Sequence, residues 1–371
     1  MTVFLIREAY ESVMRLVDGG LPRSVEEMEV LLKAEAVATP AMEGNGSVRA
    51  WLRLEARRVF AKIPGRGIGR VVLTVSGAYE NEVAAYRSLP RLGLPAKMFP
   101  RCEVAVARGN RFLLLLEDLG ASRDARLPRI EDPHPIANAR LVLAALAELH
   151  APFLDEPIGW TPRETPFLRL IADHALRVCE RRYGLTANAK EAFRVFVDNF
   201  RVVRSAWDSG TRTLVHGDAH LGNTFFAEGR AGFYDLQCVA REHPMRDVSF
   251  HLLSSCDPVD LEAGGESELV HFYVLSLNAR LSSNDAKLDP EETWDQYRLH
   301  ALWALVACVM RAGAGDLVDP AAATLLLSRV SVGIDRLGTL AALKALVFSA
   351  HHPARSSRKA QSLSPMLSKQ C

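Results

Sequence analysis

The chain has 371 residues, of which 49% are hydrophobic and 24% are charged. This is the composition of a globular protein long enough to bury a large core in two or three domains or lobes. A formal net charge of +1 gives no general electrostatic reason to expect binding to nucleic acid or to an anionic membrane.

The cysteines and apolar runs indicate a soluble cytoplasmic protein. Six cysteines are scattered without a CxxC pair, a spacing that predicts reduced thiols and no disulfide framework. The first apolar run ends at Arg7 and is too short for a signal peptide. The apolar run at residues 301–310 is too short to span a membrane.

The N-terminal residues 1–35 have helical periodicity and predict two helices. Val3, Ile6, Tyr10, Val13 and Met14 form one apolar stripe, which ends at the glycines before residue 21. Ser24, followed by Glu27, is a capping box that opens a second helix through Leu32. No chemistry is assigned to this region.

A glycine-containing turn precedes the first long strand. Gly44 and Gly46 allow backbone N–H groups to approach a phosphate closely, and the alternating residues 48–54 predict a strand after them. The same pattern is also typical of a plain hairpin turn.

A lysine and a glutamate follow on neighbouring elements. Lys62 lies within an apolar strand at residues 58–64, where an ammonium group needs a partner unless it reaches water at the strand edge. Residues 78–89 predict a helix, and Glu82 falls on its buried face with Tyr79 and Val83. Glu82 is therefore either the partner of Lys62 or a solvated residue at the helix edge.

Residues 111–118 predict a buried strand that runs into a loop at Glu117 to Leu119. Residues 135–150 predict an apolar helix, in which His150 is expected to be a core residue and not a ligand. Further helices are expected over residues 160–208.

The most informative stretch is residues 211–237, TRTLVHGDAHLGNTFFAEGRAGFYDLQ. Short apolar runs predict strands at 213–215, 224–226 and 232–234, with a turn at 228–230. Asp218, Asn223 and Asp235 then lie at strand ends, facing one point. A carboxylate can take the proton of an acceptor hydroxyl, and carboxylate and amide oxygens suit Mg²⁺.

HGDAHLGN followed by YDLQ resembles the HGDxHxxN and DWQ signatures of the aminoglycoside phosphotransferase and choline kinase superfamily. Within it, the chain looks most like the ecdysteroid-kinase-like (CHK kinase-like) small-molecule kinases, from about residue 44 to residue 340. Leu236 stands where that family usually has Trp, a packing change that leaves Asp235 intact.

The resemblance implies an α+β, protein-kinase-like, two-lobe fold, with a small N-lobe built on an antiparallel sheet and a larger, mostly helical C-lobe. The expected divisions are residues 1–117 for the N-terminal helices and N-lobe, 118–345 for the C-lobe and 346–371 for a disordered tail. Asp247, predicted from its position to be a helix N-cap, would by resemblance also hold the catalytic loop.

The resemblance also implies a role for each site residue in an ATP- and Mg²⁺-dependent small-molecule kinase. Asp218 is the catalytic base or orienter, and His216 and His220 complete the catalytic set by shaping its loop. Asn223 and Asp235 are the metal ligands. Residues expected to bind ATP, or another nucleoside triphosphate, are Lys62 and Glu82 together, the glycines Gly44 and Gly46, and the backbone of Glu117 and Leu119.

The phosphate acceptor is expected to be a hydroxyl of a small molecule. Five aromatic residues of the C-terminal helices favour a less polar acceptor: Phe272, Tyr273, Trp294, Tyr297 and Trp303. Five acidic residues are interpreted instead as a helix start and solvated face: Asp257, Asp260, Glu262, Glu266 and Glu268.

Two alternatives stay open at this stage. Because His216, Asp218 and His220 alternate, an extended segment would place them on one face as the transition-metal site of a metal-dependent hydrolase. Gly217 and Gly222 favour a turning loop instead. A non-catalytic kinase-like binding module is the other alternative, although such modules usually lack the base, the metal ligands or the lysine.

Overall fold

The computed structural model describes residues 20–38, 46–108, 111–158, 169–282, 286–313 and 318–352, and it has an α+β architecture of two lobes. The first predicted helix and Gly44 lie outside these residues. The second predicted helix is confirmed as α1 (Val25–Leu32), and the Ser24 hydroxyl accepts from the Glu27 N–H. The Glu27 carboxylate accepts from the N–H of Arg23, so the box is displaced by one residue.

The N-lobe is built on a five-stranded antiparallel sheet with strand order β1-β2-β3-β5-β4. The strands are β1 (Glu35–Ala38), β2 (Ser47–Leu54), β3 (Arg57–Pro64), β4 (Cys102–Arg108) and β5 (Arg111–Glu117). Two helices, α2 (Gly67–Val75) and α3 (Ala78–Ser88), lie between β3 and β4 in the chain. The predicted strands at 48–54, 58–64 and 111–118 and the helix at 78–89 are confirmed.

Both faces of strand β5 are buried, so the sheet lies between two groups of core residues. Leu113 and Leu115 pack with Met28 in a small core on one face. Phe112, Leu114 and Leu116 alternate with them and join the main core on the other face. In β2 and β3, Arg49 pairs with Lys62, so the two side chains project from the same face.

The C-lobe is mostly helical. After the short α4 (Leu119–Arg123) come α5 (Ile136–His150), α6 (Arg169–Arg182), α7 (Ala187–Asp198) and α8 (Phe200–Asp208). The helices beyond the predicted site are α9 (Met245–Ser255), α10 (Pro258–Ala263), α11 (Glu266–Asn278), α12 (Pro290–Gly313), α13 (Pro320–Arg336) and α14 (Thr339–His351). None of the helices in the described ranges is long and apolar enough to cross a membrane.

Four short strands interrupt the helices: β6 (Thr213–Val215), β7 (Thr224–Ala227), β8 (Arg230–Phe233) and β9 (Ala240–Glu242). β7 and β8 form a hairpin whose turn residues Glu228 and Gly229 both have positive φ. The three predicted strands of this stretch are therefore confirmed.

Two sequence expectations need correction here. The sequence of residues 238–244 predicts a loop after the site stretch, but these residues contain β9, which pairs with β6. Helix α14 continues to His351, past the predicted start of a tail at residue 346, because its apolar residues, among them the buried Leu343, still pack on the main core.

Candidate active site

The buried carboxylate of Asp247 holds the segment between β6 and β7 in place. Asp247 accepts hydrogen bonds from the backbone N–H groups of His216 (2.6 Å) and Gly217 (2.8 Å). His150 lies 3.2 Å from the same carboxylate and, through its other ring nitrogen, 2.7 Å from the Tyr273 hydroxyl. Burial alone would raise the pKa of Asp247, but these hydrogen bonds and the nearby histidines lower it below its ordinary value.

The role predicted for Asp247 as an N-cap is wrong, since α9 begins at Met245 and Asp247 lies in its first turn. It does hold the loop, as the resemblance implied. His150 is a buried, hydrogen-bonded core residue, as expected. Gly217 has a φ of 76°, and a Cβ there would overlap the carbonyl oxygen of Cys238. The chain can therefore make this turn only with glycine.

His216 connects the two halves of the site. One ring nitrogen accepts from the Asp218 N–H at 3.2 Å, and the other donates to the Tyr234 carbonyl at 3.0 Å. Both nitrogens are used, so the buried His216 links Asp218 to the residue that precedes Asp235. The shaping role expected of His216 agrees with this geometry, although a part in catalysis stays a prediction.

Asp218 and Asn223 face each other across the loop. The Asn223 amide nitrogen donates to the Asp218 carbonyl at 2.9 Å, which leaves the amide oxygen of Asn223 as an acceptor. The Asp218 carboxylate is only 3% exposed and forms an ion pair with Arg311. His220 Nε2 lies 3.5 Å from the same carboxylate. Burial lowers the pKa of His220 to about 4, so its imidazole is neutral near pH 7.

Lys62, Glu82 and Asp235 form a buried cluster beneath the sheet. The Lys62 ammonium lies 2.9 and 2.8 Å from the two carboxylate oxygens of Glu82 and 2.9 Å from Asp235 Oδ1. The Lys62 side chain is 3% exposed, so it is not a strand-edge lysine that reaches water. Glu82 is likewise buried and not a solvated helix-edge residue.

The charges of this cluster are set by competition between burial and ion pairing. Burial alone would lower the pKa of Lys62, but the carboxylates of Asp235 and Glu82 outweigh it and raise the pKa. Burial would raise the pKa of Asp235, but Lys62 and Arg49 lower it well below its ordinary value. Burial, together with the charge of Asp235, raises the pKa of Glu82 despite Lys62. Glu82 is thus the carboxylate of the cluster that protonates first.

Two arginines of the site were missed by the sequence analysis. Arg49 Nη2 lies 3.3 Å from Asp235 Oδ2, and the signal for it was the strand alternation that aligns Arg49 with Lys62. Arg311 lies in the last turn of α12, and the signal was a charge directly after the apolar run 301–310. Neither position belongs to a recognisable motif.

The remaining nucleotide-site predictions fall on the sheet and on the connection between the lobes. The Gly46 carbonyl accepts from the Gly65 N–H at 2.6 Å and from the Tyr79 hydroxyl. The Glu117 carboxylate pairs with Arg123 at 2.5 Å, and the backbone N–H of Glu117 donates to the Arg101 carbonyl. Leu119 is the first residue of α4. Their roles toward a nucleotide stay predictions.

Two of the five aromatic residues and one of the five acidic residues of the C-terminal helices are buried within the protein, whereas the other four acidic residues are exposed, as expected. Tyr273 and Tyr297 are fully buried, and Tyr297 donates to Glu266 at 2.5 Å. Glu266 also pairs with Arg336 at 2.7 Å, so the interpretation of Glu266 as part of a solvated face is wrong. Asp257 is the N-cap of α10, as expected of a helix start.

The hydrolase alternative finds no support in this geometry. Among the described residues, no three His, Cys, Asp or Glu side chains form a group that could hold a metal ion. His216 uses both ring nitrogens within the protein.

Solved structures support the fold. The ethanolamine kinase of Plasmodium vivax is 13% identical, with a TM-score of 0.51 over 89% of this chain and 93% of that chain. A choline/ethanolamine kinase family protein from Mesorhizobium loti is 17% identical, with a TM-score of 0.49 over 86% of this chain and 99% of that one. The choline kinase LicA of Streptococcus pneumoniae is 14% identical, with a TM-score of 0.49 over 85% and 98%. The first of these supports the predicted kinase-like, two-lobe fold, and the comparison with curated proteins finds no match.

A family model gives the family itself. The model described as the phosphotransferase enzyme family matches residues 38–266, which is more than half of the chain. The match includes Lys62, Glu82 and the segment from His216 to Asp235. It confirms the predicted superfamily, while a closer relationship to ecdysteroid-kinase-like enzymes stays a prediction. The chain therefore belongs to the phosphotransferase enzyme family.

Proposed function

We propose that this protein is an ATP- and Mg²⁺-dependent phosphotransferase that moves the γ-phosphoryl group to a hydroxyl of a small molecule. The observation that supports it most is the link from Asp218 through His216 to Tyr234, beside Asp235. Together with the hydrogen bond from Asn223 to the Asp218 carbonyl, that link supports a common site for a candidate base and two candidate metal ligands. Asp235 is in turn bonded to Lys62, which projects from the N-lobe sheet.

The donor set fits magnesium. The Asn223 amide nitrogen is committed to the Asp218 carbonyl, so the amide oxygen is the atom it can offer to a metal. Asp235 contributes an ionised carboxylate, since Lys62 and Arg49 lower its pKa against the effect of burial. When bound, Mg²⁺ would neutralise charge that develops on the transferred phosphoryl group.

Asp218 would serve the acceptor. Its carboxylate accepts the proton of the acceptor hydroxyl as the oxygen forms a bond to the γ-phosphorus. The bond from that phosphorus to the β,γ-bridging oxygen breaks, and ADP leaves with the electron pair. Asp247 holds the backbone at His216 and Gly217, directly before Asp218, which keeps Asp218 oriented.

The nucleotide would bind between the lobes, whose boundary we place after Glu117. Lys62, held by Glu82, would contact its phosphates, and the glycine turn that includes Gly46 would approach them from the sheet. The backbone of Glu117 and Leu119 would hydrogen-bond the base of ATP or of another nucleoside triphosphate.

Free thiols at the described cysteines favour a cytoplasmic location.

The test is a screen for acceptor-dependent ADP formation over alcohols, sugars, amino alcohols, antibiotics and sterol-like compounds, with and without Mg²⁺. At least one acceptor should be phosphorylated by the wild type with Mg²⁺, and by neither the metal-free enzyme nor Asp218→Asn. Zinc-dependent phosphate release that needs no nucleotide would contradict the proposal.

A further inference from the structure

The base predicted for this enzyme already has a cationic partner from a distant part of the chain. Arg311 Nη1 forms an ion pair with Asp218 Oδ1. A second nitrogen of the guanidinium lies 3.7 Å from the Cys238 sulfur, and its central carbon lies 5.6 Å from the centre of the Phe250 ring. These contacts fix the guanidinium beside the carboxylate.

The pair is asymmetric in its exposure to solvent. The Arg311 side chain is 22% exposed, whereas that of Asp218 is 3% exposed. An acceptor hydroxyl that reaches Asp218 therefore comes close to the Arg311 guanidinium, which is paired with that carboxylate. An arginine retains its charge in such a position, and it has donors beyond the one that pairs with Asp218.

Two other titratable side chains, His220 and Cys238, lie close to Asp218 and Arg311. His220 Nε2 lies 3.5 Å from the Asp218 carboxylate, and burial raises the pKa of the Cys238 thiol to about 12. His216 is held by two hydrogen bonds through its ring nitrogens. Arg311 forms its ion pair with Asp218, so the charge of this carboxylate is already matched by a cation. The immediate surroundings of the base therefore offer no surplus negative charge to an incoming cation.

We propose that Arg311 determines which charge class of acceptor this enzyme takes, and that the acceptor is an uncharged or acidic hydroxylated compound and not an amine. The inference rests on the proposed phosphotransfer to a hydroxyl. An ammonium group near the acceptor hydroxyl would lie beside the guanidinium and compete with it for Asp218. A carboxylate or an uncharged polar group would instead find guanidinium donors beyond the one that pairs with Asp218.

The experiment uses two sets of isosteric acceptors that differ in charge. One set is 3-aminopropan-1-ol, propane-1,3-diol and 3-hydroxypropanoate. The other is 4-(aminomethyl)benzyl alcohol, 1,4-benzenedimethanol and 4-(hydroxymethyl)benzoate. The kcat/KM of each is measured for the wild type, Arg311→Gln and Arg311→Lys. Arg298→Gln is the matched control, because Arg298 lies on the same helix and donates to the Leu337 carbonyl, away from Asp218.

The wild type should prefer the diol and the hydroxy acid over the amine by about tenfold or more, the size expected for one charge pair of this kind. Arg311→Gln should shift the ratio toward the amine by about the same factor, because Asp218 then lacks its cation. Arg311→Lys should keep the wild-type order, and Arg298→Gln should leave every ratio unchanged. Each variant is first checked for wild-type circular dichroism and for binding of Mg²⁺-ADP.

Two results with these probes, and one with the wider screen, would overturn the inference while leaving the phosphotransfer intact. One is a wild-type preference for the amine in both sets. The other is an Arg311→Gln variant in which all members of a set lose activity equally. If the enzyme phosphorylates only compounds of the wider screen, the inference is also refuted when all of those compounds are amines. Absence of transfer to every probe and every screened compound would instead refute the proposed function.

Discussion

Lys62 bonds both carboxylate oxygens of Glu82, a residue 20 positions farther along the chain, at 2.9 and 2.8 Å. Its ammonium also lies 2.9 Å from Asp235, so a single cation joins the sheet, the helix behind it and the segment that follows the β7–β8 hairpin. All three groups are buried or nearly so. Removing the cation would leave the buried Glu82 carboxylate without its ion-pair partner and Asp235 with Arg49 alone.

Lys62→Ala should therefore destabilise the protein by about 3–5 kcal/mol, the usual cost of breaking a buried ion pair on one side. It should also weaken productive ATP binding. Urea unfolding and the KM for ATP measure the two effects. Lys97→Ala is the control, because the ion pair of Lys97 with Glu228 is on the surface and should matter little. A normal KM for ATP in Lys62→Ala would remove the lysine from the nucleotide site.

Asp218→Asn should lower kcat by at least about 100-fold, the lower end of what general-base catalysis contributes. Binding of Mg²⁺-ADP should change little, because Asp218 is proposed to contact the acceptor and not the nucleotide. Acceptor-dependent ADP formation and calorimetric ADP binding measure the two. Asp198→Asn, at an exposed ion pair with Arg169, controls for loss of a carboxylate elsewhere. Unchanged turnover in Asp218→Asn would exclude Asp218 as the base.

Asp235→Asn should sharply raise the Mg²⁺ concentration needed for half-maximal rate, because an amide is a weaker ligand than a carboxylate for this hard cation. The variant also loses part of its attraction to Lys62 and Arg49, so its stability must be measured alongside. Asp260→Asn, on the distant helix α10, provides the comparison. A magnesium titration identical to that of the wild type would argue against a ligand role.

The sequence predicted those parts of the site that local pattern determines. The strands around Asp218 and Asp235 are short apolar runs that end at polar residues, and the Glu82 stripe follows from helical periodicity. Arg49 and Arg311 could not be placed in this way. Their distances to Asp235 and Asp218 depend on how the lobes and α12 pack. The N-cap expected at Asp247 failed because α9 starts two residues earlier, which turns that carboxylate toward the loop.

Asp247→Ala should cost about 2–6 kcal/mol, because two buried N–H groups lose their acceptor at about 1–3 kcal/mol each. It should also lower kcat, since the turn before Asp218 is no longer held. Asp247→Asn keeps one acceptor oxygen and should recover part of both. Asp319→Ala is the control, because Asp319 also accepts from two backbone N–H groups but caps α13 at the surface. Loss of stability with unchanged kcat in Asp247→Ala would show that its role is structural alone.

The free energy of unfolding should fall as the pH is lowered from about 7 to 5. Burial lowers the pKa of several histidines, and it lowers the pKa of His220, His243 and His251 to about 4. The unfolded chain therefore binds protons between pH 7 and pH 5, before the folded chain does. Each such histidine contributes about 2 kcal/mol of lost stability by pH 5. The raised pKa values of the buried Glu82 and Glu266 act in the opposite direction but involve fewer groups. Urea unfolding at both pH values measures the loss, which should be smaller in His251→Gln and unchanged in His271→Gln, where the ring is exposed. In His251→Gln the glutamine amide can still donate to the Ala219 carbonyl, so the variant loses mainly the titratable group. An equal loss of stability in His251→Gln and in the wild type would therefore contradict this explanation.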